Sequence, residues 1–202
     1  MDDTSTGWTA SEIARRVRSR EVSAVEVAEA HLARIAQVNP AINAICTLAA
    51  DRALAAARAL DDDLAAGRPV GPLAGVPLGI KDIVPTAGIR TTYGSPLYAD
   101  YVPMHDALHV QRLKAAGAIV VGKTNTPEFA AGANTFNAVF GATRNPWNTA
   151  LSASGSTGGG AAALAAGMIA LSDGTDLGGS LRSEEHTSEL QSHLNLVCRL
   201  LL

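Results

Sequence analysis

The sequence predicts an α/β domain, with helices packed on a sheet, and two observations carry that expectation. Short apolar runs broken by Gly and Pro, GPLAGVPLGIKDI from Gly71 and AIVVGKTN from Ala118, alternate with segments of helical spacing. Across 202 residues, 47% apolar and 17% charged side chains supply enough apolar surface for a sizeable core.

Taken in order, Thr9 with Glu12 and Ser23 with Glu26 each fit a capping box ahead of apolar residues at helical spacing, so two N-terminal helices are expected. Pro40 is expected to close the second. NAICTL reads as a strand, and DRALAAARALDDDLAAG as a third helix ending at Gly67, because Ala and Leu favour helix and Gly favours the C-terminal cap. The run from Gly71 reads as a buried strand leaving a turn, with Lys81 directly after it. Ala107 to Ala116 is expected to be helical and AIVVGKTN to be a second buried strand. The Asn-, Gly- and Thr-rich stretch NTPEFAAGANTFNAVFGATRNPWN is expected to be a long ordered loop, the kind of segment that often carries function.

A net charge of −3 without a basic run excludes the electrostatic footprint of a nucleic-acid binder and points to a small-molecule partner. No apolar run approaches the roughly 20 residues that span a bilayer, and MDDTSTGW is acidic where a secretory leader would be basic. A cytoplasmic location, with no membrane partner, is therefore expected. Cys46 and Cys198 are too few for a disulfide framework and lack metal-ligand spacing, so no metal is expected, and Cys46 reads as a buried structural thiol.

At Ser183 the texture changes. SEEHTSELQSHLNLVCRLLL neither continues the preceding pattern nor contains a motif, and it resembles one reading frame of a short-read sequencing adapter, including LVCRLLL after a gap the size of a six-base index. Residues 183–202 are accordingly set apart as a non-native tail, and Arg182 fits either source. Removing its three Glu and one Arg leaves the rest of the chain at −1, and removes Cys198, His186 and His193 from the candidates.

Three polar residues stand out in residues 1–182. Lys81 ends a buried apolar run. Ser156 lies in SASGSTGGGAAALAAG, where glycines open backbone conformations closed to other residues and then give way to an alanine-rich helix. Ser180 lies in GTDLGGSLR, a second Gly-rich turn whose N–H groups can converge on one point, as an oxyanion hole requires. Each alone has a plainer explanation: an anion cradle or turn for the Gly/Ser loops, a solvated amine for the lysine. The SGSTGGG run lacks the Lys-Ser/Thr ending of a phosphate-binding loop.

Together, GPLAGVPLGIKDI, GKTNTPEF, FGATRNPWN, SGSTGGGAAALAAG and GTDLGGSLR resemble the amidase signature family, in its order and register, over roughly residues 8 to 182. Lys81 precedes Ser156 by 75 positions and Ser156 precedes Ser180 by 24, as in the family. Thr157 and Gly160 depart from it, since many members carry Ser at the first and Ser or Glu at the second. The resemblance implies a mixed β-sheet flanked by helices, cut short after the nucleophile turn, the family's domain being more than twice as long. It implies Ser180 as nucleophile, Ser156 as a bridging residue preceded by a cis peptide bond, and Lys81 as ultimate base. Gly155 and Thr157 are implied as supports for Ser156, the backbone N–H groups of Leu177, Gly178, Gly179 and Ser180 as the oxyanion hole, and Asp176 with Arg182 as a pair holding the turn. No cofactor and no histidine is required, so His31, His105 and His109 are expected to be surface or packing residues.

The implied activity is hydrolysis of a carboxamide C–N bond through an acyl-enzyme, with a small amide as substrate and a homodimer as a form open to full-length relatives. NTPEFAAGANTFN looks more like the stand-alone amidases than like the glutaminase subunit of the tRNA-dependent amidotransferase, which is the alternative. A third reading is a non-functional gene fragment, because a sheet cut in half leaves an unpaired edge and exposed apolar faces. The truncated chain is expected to be inactive on its own.

Overall fold

A computed structural model of the chain describes residues 5–182; the tail from Ser183, with His186, His193 and Cys198, lies outside the described residues. Helix α1 (Ala10–Arg18) starts where the Thr9 side chain accepts the Glu12 N–H, and α2 (Ala24–Ile42) starts at a reciprocal Ser23–Glu26 capping box. Pro40 does not close α2, which continues through it to Ile42. A proline in the last turn forfeits a single backbone bond, and two asparagines secure that end. Asn43 is left-handed and donates its N–H to Asn39 O at 2.7 Å, while the Asn39 side chain accepts from Ala44 and Ile45.

Strand β1 (Ile45–Leu48), helix α3 (Ala50–Ala65), strand β2 (Pro77–Lys81), helix α4 (Leu108–Ala115) and strand β3 (Ile119–Thr124) follow as the residue pattern predicts, except that Lys81 is the last residue of β2. The stretch expected to be one loop holds two small hairpins, β4 (Phe136–Asn137) with β5 (Gly141–Ala142) and β6 (Arg144–Asn145) with β7 (Asn148–Ser152). Asparagine side chains build their turns: Asn137 Oδ1 accepts from Val139 and Phe140, and Asn145 Oδ1 from Trp147. Strands of two to five residues are too short for alternation to register in the sequence. Helix α5 (Gly158–Ala165) and strand β8 (Leu171–Ser172) complete the described part.

The main sheet has the order β1-β3-β2-β8, with β1 antiparallel to β3 and β3, β2 and β8 parallel, so it is mixed as expected. Alternation along the strands separates two cores. Ile119 and Val121 join Ile13, Val17, Val27, Ile35, Ala162 and Met168 on the face carrying α2 and α5. Leu78, Ile80 and Val120 join Val84, Ile89 and Val110 on the other. Lys81, one position beyond Ile80, therefore faces the α5 side.

Candidate active site

Lys81 is fully buried, as is every residue of β2. Its Nζ lies within hydrogen-bond distance of three hydroxyls, Ser156 Oγ at 2.7 Å, Thr157 Oγ1 at 2.8 Å and Thr175 Oγ1 at 3.1 Å. Ser156 and Thr157 are supplied by the turn that opens α5, and Thr175 by the segment leaving β8, so parallel strands and one helix N-terminus converge on the amine.

Ser156 is itself 1% exposed, and the Gly155–Ser156 peptide bond is cis, as the resemblance implied. Its carbonyl accepts from Thr126 Oγ1 at 3.0 Å, and Gly155 N–H donates to Ala133 O at 2.8 Å. A side chain at Gly155 would stand 2.7 Å from Gly132 O, which explains the glycine without appeal to its flexibility. Asn125 organises the surroundings. Its carbonyl accepts Gly159 N–H at 3.2 Å, its Nδ2 donates to Thr143 Oγ1 at 3.0 Å, and its Oδ1 accepts from Asn137 at 2.7 Å. The start of α5 is thereby tied both to the end of β3 and to the β4–β5 hairpin.

Ser180 is half-buried at the end of an exposed turn, and among the described residues no hydrogen bond joins it to Ser156. The turn is organised by Asp176, whose Oδ1 accepts Gly179 N–H at 2.6 Å and whose Oδ2 accepts Leu181 N–H at 3.2 Å and Arg182 Nε at 3.1 Å. The Arg182 hydrogen bond and the amide donors hold the Asp176 carboxyl down at about 2. Asp176 and Arg182 thus form the expected pair, while the Gly179 N–H, one of the four candidate oxyanion donors, is directed at Asp176 here. Leu177 is fully exposed.

Among the other candidates, His31 is a buried packing residue on α2 whose Nδ1 lies 3.1 Å from Met168 O, and His105 is exposed. His109 is exposed and pairs with Asp173 at 3.1 Å. Cys46 is half-buried, its Sγ donates to Lys123 O at 3.4 Å, and burial pushes its thiol well above the ordinary value. Asp173, Thr175, Thr126 and Asn125 escaped residue-by-residue reading. The last two sit inside GKTNTPEF, so the motif marked them without assigning a task. A second buried lysine, Lys123, points to the opposite face, where it donates to Val84 O and, at 2.8 Å, to Thr86 Oγ1. No group of three or more His, Cys, Asp and Glu among the described residues could hold a metal ion. No helix there is long and apolar enough to cross a membrane.

A buried amine ringed by three hydroxyls at the mouth of a glycine-rich helix, carried on a mixed sheet, is the arrangement that the comparisons with known proteins then place in a family. The amidase family model matches residues 26–183, and the chain belongs to the amidase signature family. It is 52% identical over 174 residues to a glutamyl-tRNA(Gln) amidotransferase subunit of Acidothermus cellulolyticus, covering 86% of this chain and 34% of that protein. It is 51% identical over 172 residues to the protein of the same name from an Azoarcus species, covering 85% and 35%. Among solved structures, a bacterial aryl acylamidase of the amidase signature family matches with TM-score 0.84 at 35% identity, over 88% of this chain and 37% of that one. A fatty acid amide hydrolase matches with TM-score 0.85 at 28% identity, over 91% and 33%. The chain spans about a third of the length of these relatives.

Proposed function

We propose that this segment carries the catalytic residues of an amidohydrolase that cleaves carboxamide C–N bonds. The observation that carries the reading is the 2.7 Å hydrogen bond between the buried Lys81 amine and Ser156 Oγ, two groups 75 residues apart. Neutral Lys81 takes the Ser156 proton, Ser156 takes the Ser180 proton, and Ser180 Oγ adds to the amide carbonyl. The tetrahedral intermediate expels the amine as that proton is returned to its nitrogen, and water, deprotonated along the same path, releases the acid from the acyl-enzyme. A Ser156–Ser180 bond that closes only around substrate is consistent with the looser geometry of empty sites. Backbone N–H groups from Leu177 to Ser180 would hold the oxyanion, each worth about 10²-fold or more in rate. Gly179 joins them only if its amide turns from Asp176.

The curated relatives at 48–52% identity are named as a subunit of glutamyl-tRNA(Gln) amidotransferase, and this supports a second reading in which the same chemistry hydrolyses glutamine to supply ammonia to partner subunits. Ammonia release by a full-length protein carrying this segment distinguishes the two. Hydrolysis of simple amides without partners supports the stand-alone amidase. Release from glutamine only in the presence of partner subunits supports the second. No release from either class of substrate overturns both.

A further inference from the structure

We propose that Asp173 is a positioning residue for Lys81, an inference that rests on the relay described above. Strands β2 and β8 run parallel, with Leu78 opposite Leu171 and Gly79 opposite Ser172. The next rung starts normally, since Asp173 N–H donates to Gly79 O at 3.2 Å. In a continuing parallel ladder the following donor, Lys81 N–H, would meet the Asp173 backbone carbonyl. Here it meets the Asp173 side chain instead, donating to Oδ1 at 2.5 Å. The displaced backbone carbonyl accepts Ser172 Oγ at 3.0 Å.

This substitution of carboxylate for carbonyl does two things at once. It satisfies the Lys81 amide, which is wholly buried and would be costly to leave without a partner. It also releases the chain from the sheet one residue early, so that it turns across the lysine head and brings Thr175 Oγ1 to within 3.1 Å of Lys81 Nζ. Both ends of Lys81 are therefore set by one short segment, the backbone by Asp173 and the amine by Thr175. The carboxylate is held from the far side by His109 of α4, whose Nε2 lies 3.1 Å from Oδ2, and its side chain is 8% exposed.

The role predicted is that of a hydrogen-bond acceptor at a fixed point, which Asn can fill and Leu of similar size cannot. The test compares Asp173→Asn and Asp173→Leu in a full-length protein carrying this segment, by hydrogen exchange in the peptide containing Lys81 and by the pH profile of Ser180 labelling with a fluorophosphonate. Loss of one buried hydrogen bond is expected to speed exchange in D173L about tenfold or more, and to slow labelling by a similar factor with a displaced pH profile. D173N is expected to stay within about threefold of the parent on both readouts, because its amide oxygen replaces the acceptor. A folded D173L that matches the parent, or a D173N as impaired as D173L, overturns the proposal. If D173L does not fold, Asp173→Ser, polar but too short to reach the Lys81 amide, takes its place. If the parent protein is not labelled at Ser180, the relay reading fails, while exchange at Lys81 still decides whether Asp173 holds that amide.

Discussion

Thr126 Oγ1 and the carbonyl oxygen of Ser156 are 3.0 Å apart, and both residues are buried, so the Ser156 backbone is held from the strand end that carries GKTN. Replacing Thr126 by Val keeps the shape and removes the donor, leaving a buried carbonyl without it. The expected cost is about 1–3 kcal/mol of stability, together with slower acylation of Ser180. Thr126→Ser restores the donor and is expected to recover the acylation rate. Denaturant midpoints and labelling rates for the pair check this; equal behaviour of Val and Ser would show that the hydroxyl has no such role.

Gly159 makes a second prediction whose sign runs against ordinary helix propensity. It lies inside α5, where exchanging Gly for Ala would gain about 0.5–1 kcal/mol on an exposed surface. A Cβ here would instead collide with the backbone of Asn125. Gly159→Ala is therefore expected to destabilise by about 1–3 kcal/mol or more through overpacking, and to lower the midpoint in chemical denaturation.

Two histidines should impose opposite pH dependences on stability. Pairing with Asp173 raises His109 above its ordinary 6.5, so its contribution is fully present below 6.5 and is lost as pH rises through the higher folded-state value. Since His109 is largely exposed, the effect should stay under about 1 kcal/mol. Burial lowers His31 below 6.5, so its neutral form adds stability above 6.5 that is lost as pH falls toward the lower folded-state value. Urea titrations between about pH 5 and 8 should show the gap between parent and H109Q closing as pH rises. The gap between parent and H31Q should widen over the same range.

Much of the molecule is legible in its residues alone, for identifiable reasons. The N-cap at Thr9, the capping box at Ser23 and the apolar runs around Leu78 and Val120 are local signals that tertiary structure does not override, although Glu12 turns to Arg16 and leaves the box expected at Thr9 half made. Lys81, Ser156 and Thr157 are legible because buried polar side chains at the end of an apolar strand and beside glycines need a chemical or structural reason, and the family motifs supply one. Pro40 misleads because its penalty depends on how the helix end around it is secured, here by Asn39 and Asn43. The β4–β5 and β6–β7 hairpins escape notice because strands of two to five residues carry too little alternation to read as a period. Asp173 is invisible in sequence because its task is defined only by the register of β8 on β2, which no local pattern encodes.

In the proposed relay Lys81 activates Ser180 through Ser156. It is tested most directly by mapping the adduct that a fluorophosphonate leaves on a full-length protein carrying this segment, in the parent and in Lys81→Met. A single adduct on Ser180 is expected, absent from S180A, and forming about 10²- to 10⁴-fold more slowly once the buried amine is gone. An adduct on another residue, or labelling of Ser180 at the parent rate without Lys81, would contradict it.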